Sequence, residues 1–264
     1  MNPVIELLLQ RRSVRAYEDR TLAQEAKDQI LEATLRAPTA GNLMLYSIVE
    51  ISDQRSKDDL ARLCDNQPFI ARAPWVVLFA ADYQRWHDLF AWSGVEETCR
   101  QAGEAMRNPE VGDLLLACAD ALIAAQTAVI AAESLGIGSC YIGDIMENCE
   151  RTRDLLGLTP YVFPICLLCF GYPDARQAGK ERSSRFERKF ICFENKYRRL
   201  TPAELAEMTE ERQRESFKGH RSIDGAANLG QLVYKRKFAA GFSLELNRSV
   251  QAMIRRWTAG GELP

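Results

Sequence analysis

Residues 11–15 read Arg-Arg-Ser-Val-Arg, three guanidiniums and a hydroxyl within five positions. They follow the apolar run "VIELLLQ" and stand two residues before Tyr17. Guanidinium N–H forks match phosphate oxygens two at a time, so the segment has the donors of an anion cradle. A helix end accounts for part of it equally well, because Arg11 and Arg12 fall where cations meet the negative end of the helix dipole. Ser13 and Arg15 turn the reading towards a bound phosphate. The net charge is −2 over 264 residues, which gives no field for nucleic acid or an anionic membrane, so a small anion is expected.

Other chemistries find less to work with. The loop "APTAGN" (37–42) offers only Thr39 and Asn42 as hydrogen-bonding side chains among small residues, which suits close backbone approach to a flat ligand and equally suits a helix-ending turn. The two histidines, His87 and His220, lie in no HExxH or Cys/His cluster, so no metal site is expected. Cys166-Leu-Leu-Cys169 has redox spacing, but inside a strand residues three apart face opposite ways. Cys140 has no histidine near it in sequence, and no P-loop or GxGxxG is present. Eight scattered cysteines make no disulfide framework, and the start Met1-Asn2-Pro3-Val4 lacks a basic leader region. Reduced thiols in a cytoplasmic protein are expected.

These groups need elements to hold them. Asn2 and Pro3 cap a first helix, and a second is predicted from Ala23 to Ala37. Strands are predicted at 46–52, 75–82, 139–143 and 162–173, the second and last as continuous apolar, doubly buried runs. A helix is expected around Asp58–Cys64, another over 147–157, and a capped helix from Thr201. Residues 83–112 stay undecided, aromatic first and charged later. The stretch 114–135 is apolar enough for a membrane span, but Asp120, Thr127 and Ser134 recur every seven residues, which predicts a buried core helix ending at Gly136. Residues 174–199 read as basic and irregular, with strand character only at "KFICF". The fold class is α+β or α/β, with a core over 1–200 and a charged helical arm over 201–264 as parts of one unit. The apolar content of "LVYKRKFAAGFSLEL" suggests that the arm packs across a partner.

Five ordered pieces, "RRSVR", "APTAGN", "FIARAPWVVLF", "AAESLGIGSCYIG" and "PICLLCFGYP", resemble the FMN-dependent nitroreductases across most of 1–200, nearest the branch with a long C-terminal arm. That resemblance implies the α+β class, with a central, mostly antiparallel sheet wrapped by helices in an intertwined homodimer. It implies FMN as cofactor and NADPH or NADH as electron donor. By the same likeness, Arg11, Arg12, Ser13 and Arg15 contact FMN, Thr39 and Asn42 line its ring and ribityl region, and Asn66 or Gln67 touches it from the next loop. Tyr141, Ile142 and Gly143 cover the isoalloxazine, and Arg185 matches the arginine of a late Lys-x-Arg phosphate pair. Ser183 stands where that lysine is expected, leaving Arg182 or Lys180 to replace it. The implied reaction is ping-pong transfer of two electrons to an electron-poor acceptor such as a nitroaromatic or quinone. A non-catalytic flavin-storage protein, a specialised flavin-dependent dehydrogenase and a cofactor-free helical interaction protein are the alternatives.

Overall fold

The computed structural model of the chain describes residues 1–178 and 183–260. In chain order the first half holds α1 (Pro3–Gln10), α2 (Gln24–Thr34), β1 (Tyr46–Ile51), α3 (Gln54–Leu63), α4 (Pro68–Arg72), β2 (Trp75–Asp82), α5 (Gln84–Trp92) and α6 (Val95–Gln101). The second half holds α7 (Val111–Ser134), β3 (Gly138–Ile142), α8 (Cys149–Leu156), β4 (Val162–Gly171), α9 (Ala175–Ala178), α10 (Pro202–Phe217), α11 (Leu229–Val233) and α12 (Gly241–Thr258). The strands form one sheet in the order β1-β2-β4-β3, every pair antiparallel.

β2 is buried along its whole length, and its alternate residues feed two cores. Trp75, Val77 and Phe79 pack with α2 and α7, while Val76, Leu78 and Ala80 pack with α3 and α4. Cys166 belongs to the first core and Cys169 to the second, as their spacing on β4 requires. The register slips between Phe79 and Ala80, opposite Pro164. A proline cannot donate to a ladder, so a bulge is where a central strand tolerates one.

α7 is long and apolar enough to span a membrane by composition, yet nine of its residues, Asp120 among them, are buried in the protein. It is the core helix that its seven-residue polar period predicts. It ends at Gly136, whose φ of 72° makes a left-handed cap.

Two compact units result, one made of Met1–Lys180 with Glu245–Pro264 and the other of Glu181–Leu244. A division at residue 200 therefore falls inside the second unit, and the end of the expected arm belongs with the core. There Trp257, 1% exposed, packs with Leu45, Leu114, Tyr161 and Phe163, and its Nε1 donates to Glu110 O at 3.1 Å. The second unit holds α10, opened by a Thr201/Glu204 capping box, and a small core of Phe217, Ala226 and Leu232.

Three local expectations change. "KFICF" is no strand: Arg188–Phe190 is a 3-10 turn, with Phe190 buried but Ile191 60% exposed. α2 stops at Thr34, three residues before the predicted end. Within 83–112 lie the two short helices α5 and α6.

Candidate functional site

The arginine segment is held by its own apolar residue. Val14 is 2% exposed, and its N–H donates to Ser139 O at 2.9 Å, with Ser13 bridged in parallel to Ser139. Two glycines make room for this path. A Cβ on Gly138 would lie 2.5 Å from Val14 Cγ2, and one on Gly171 would lie 2.6 Å from Tyr17 Cδ1. They are register partners across β3 and β4, so the end of the sheet is cleared on both strands. Tyr17 then closes the segment by donating to Val14 O at 2.8 Å.

With Val14 turned inward, Ser13 and Arg15 face the Cys140 thiol. Burial pushes that thiol up, and Arg15, Ser13 and Arg11 oppose the rise. Arg15 is exposed, its guanidinium 5.9 Å from the centre of the Phe69 ring on α4. Arg11 stands near the Tyr141 phenol, whose pKa burial raises, and Arg11 and Arg12 both face Glu133. Burial raises the Glu133 carboxyl, and these two arginines pull it back. Tyr141 donates to Gln126 Oε1 on α7 at 3.3 Å.

A second loop meets the other end of β3. Asp65 and Asn66 are both left-handed (φ 53° and 51°), turning the chain from α3 into α4. Gln67 Nε2 donates to Cys64 O at 3.0 Å and to Asp144 Oδ2 at 2.6 Å. Gly143, immediately before Asp144, is exposed, and a Cβ there would meet nothing within 4 Å. Arg11, Ser13, Arg15, Gln67, Tyr141 and Gly143 are thereby strung along β3, the edge strand, from Ser139 near its start to Gly143 just past its end. Asn66 is exposed beside them. Ile142 is 1% exposed and packed in the second core, leaving only its main chain to face a ligand.

Thr39 and Asn42 sit on a loop hung from α7. Asp120, 2% exposed, accepts the N–H groups of Ala40 at 2.9 Å and Leu45 at 3.2 Å. Between those anchors Gly41, Asn42 and Met44 all adopt positive φ, and Thr39 Oγ1 accepts Met44 N–H at 3.3 Å. From the other side Arg85 donates to Met44 O and Trp86 Nε1 to Leu43 O, at 3.1 and 2.8 Å. Asn42, Leu43 and Met44 form one wall of a groove of about 570 Å³, with Trp86, Leu89 and Trp92 opposite. Asp120 and Gln126 are six residues apart, so this loop and Tyr141 hang about 9 Å apart along α7.

Arg185 belongs to the second unit, where Nη1 donates to Ser183 O at 3.3 Å and Ser184 O at 3.4 Å. Lys180 and Arg182 lie outside the described residues. Sequence reasoning missed Asp120, Arg85, Phe69 and Asp144 as site-builders. Only Asp120 left a signal, as an acid in an apolar helix.

A family model described as the nitroreductase family matches residues 8–172. The chain is 38% identical over 182 residues to the FMN reductase (NAD(P)H) of Bacillus subtilis (strain 168), covering 69% of this chain and 70% of that one. It is 30% identical over 211 residues to the oxygen-insensitive NADPH nitroreductase of Salmonella typhimurium (strain LT2), covering 80% and 81%. In three dimensions it is similar to the B. megaterium protein NfrA2, with a TM-score of 0.80 at 25% identity over 98% of each chain.

Proposed function

The chain belongs to the nitroreductase family, and on that footing we propose that FMN binds, and an acceptor is reduced, along the edge strand β3. It is an FMN-dependent NAD(P)H oxidoreductase. When bound, FMN supplies two-electron hydride chemistry between nicotinamide and acceptor. The residues present suit such a group. Arg15 is an exposed cation whose neighbours are a phenyl ring and a thiol, and the space beside Gly143 is open.

In this reading Arg15, Ser13 and Arg12 hold the phosphate. Arg11 stands towards the ring, where negative charge develops on reduction and a fixed cation favours it. The Gly143 N–H and the Gln67 amide meet the ring edge, and Thr39 and Asn42 line the ring and ribityl region. The acceptor is an electron-poor nitroaromatic or quinone that takes the place of the nicotinamide after the first half-reaction. The carrying observation is that the arginine segment, the Gln67 loop and Gly143 line the same edge strand, β3, with Arg15 set against Phe69 and Gln67 bonded to Asp144.

A homodimer completes the proposal. α1 buries none of its residues although it is largely apolar, and α7 leaves Leu115, Leu116, Leu122 and Ile123 between 41% and 66% exposed. The last four form two pairs seven residues apart, a stripe suited to a second helix. A loop hung about 9 Å along α7 from Tyr141 would then serve the flavin of the partner. The cytoplasmic assignment rests on eight free cysteines. Anaerobic stopped-flow reduction of the purified yellow protein by NADPH and NADH, followed by an acceptor screen, tests the reading. Flavin that neither nicotinamide reduces would overturn it.

A further inference from the structure

Four carboxylates crowd the turn that follows β3. Asp144 lies within the 3-10 turn Gly143–Met146 and Glu147 closes it, its N–H donating to Asp144 O at 3.0 Å. Asp65 faces them from the loop after α3, and Glu245 from α12. Cys64 faces the same two acids, and its thiol is raised by burial and then by Asp144 and Glu147. Glu245 is already engaged, accepting from Arg248, Ser249 and Asn148 N–H. Glu147 is different. It is 4% exposed, its Oε1 meets no donor, and the polar side chain beside it is the Asp144 carboxyl.

A buried carboxylate without a donor is costly, and two adjacent carboxylates cannot both ionise cheaply. One proton removes both difficulties, because a protonated carboxyl becomes a donor. Asp144 already receives Gln67 Nε2 at 2.6 Å, so Glu147 is the member left to carry the proton. We propose that Glu147 is a positioning residue: as a neutral acid it donates its O–H to Asp144 and holds that carboxylate against Gln67, locking the turn that presents Gly143. Loss of the proton to solvent sets two like charges together and loosens the turn. The surroundings agree, since burial first and then Asp144, Asp65 and Glu245 push the Glu147 carboxyl up to about 8.

This role rests on the flavin reading of Gly143 and Gln67, and the test separates the two. The full chain, labelled with carbon-13 at its glutamate carboxyls, is titrated by NMR, and FMN affinity is measured by flavin fluorescence over the same range. One resonance should titrate near the alkaline midpoint and vanish in Glu147→Gln. Asp144→Asn, which removes the neighbouring charge, should shift that midpoint downward. If only the protonated form presents the closed turn, Kd for FMN rises about tenfold from about pH 7 to about pH 9, while Glu147→Gln shows a flat response. The flavin's own ionisations are common to both proteins and cancel in the comparison. A Glu147 resonance already ionised in mild acid overturns the proposal, as does an equal pH response in wild type and Glu147→Gln. Absence of FMN binding by the wild type at every pH would instead sink the flavin reading, and the positioning role with it.

Discussion

Replacing Asp120 with alanine should unfasten the loop 39–45 without touching any group proposed to meet the flavin. The carboxylate accepts two backbone N–H groups, those of Ala40 and Leu45, and Leu45 is itself only 1% exposed. A hydrogen bond to a charged group contributes about 1.5–3 kcal/mol, and a buried donor left without its acceptor adds a desolvation penalty. Two bonds sharing one acid are not additive, so about 3–5 kcal/mol is expected for Asp120→Ala. At roughly 2–4 °C per kcal/mol for a domain of this size, Tm should fall by about 6–20 °C. Asp120→Asn keeps one acceptor and turns an amide N–H towards the second donor, so about 1–3 kcal/mol should be lost. Urea unfolding of apo-protein reads this as a lower midpoint at unchanged slope. FMN affinity should fall as well, because the loop carrying Thr39 and Asn42 loses both anchors. An Asp120→Ala protein that unfolds at the wild-type midpoint would refute the clasp.

Arg15→Ala should weaken FMN binding by about 1.5–3 kcal/mol, ten- to a hundredfold, and Lys at this position should restore charge without the fork; unchanged affinity by fluorescence titration would make Arg15 surface charge alone. Leu122→Glu, on the exposed stripe of α7, should shift the protein to monomer in analytical ultracentrifugation and weaken FMN retention together, and an unchanged dimer would exclude that face. Trp257→Ala should cost about 3–5 kcal/mol in urea unfolding, as for other large-to-small core changes. Stability should also depend on pH in a definite direction. Glu147 has a folded pKa raised above its unfolded value, so its contribution is complete in acid and declines until about pH 8. Glu150 and Glu245, both lowered to about 2 by Arg248, act oppositely, and their contribution is lost as pH falls through about 4 towards 2. Melting curves from acid to alkaline pH check both limbs, and Glu147→Gln should remove only the alkaline decline.

Where a segment meets only one kind of environment, its sequence says so. "WVVLFAAD" is buried on both faces and predicts β2 to the residue. The polar period of α7 marks a helix with one polar stripe in a core. α5 and α6 bury no residue, so no apolar face marks them, and 83–112 stays ambiguous. "KFICF" misleads because alternation implies a paired strand, whereas only Phe190 is buried there. The arginine segment is legible from residue types, since phosphate recognition needs those forks. Its support is not. Clearance at Gly138 and Gly171 and the bonds from Asp120 to the loop 80 residues away depend on distant approaches that no local pattern records. The return of the chain's last helix to the core is hidden likewise, because its charged sequence resembles that of α10.

The seat of Trp257 has a consequence for biosynthesis. Its indole N–H reaches a carbonyl 147 residues earlier in the chain, and its ring closes a cluster that includes Leu45, Ala81, Leu114 and Phe163. A nascent chain emerging from the ribosome can pair its strands as they appear, but this cluster stays open until the segment after Glu245 has left the exit tunnel. Refolding in solution should show the same ordering, with indole burial trailing sheet formation. The length of the intervening stretch hardly matters to that closure, since doubling a flexible loop adds only about 0.6 kcal/mol. Insertions between residues 181 and 244 should therefore be tolerated by the core far better than loss of the helix that follows them.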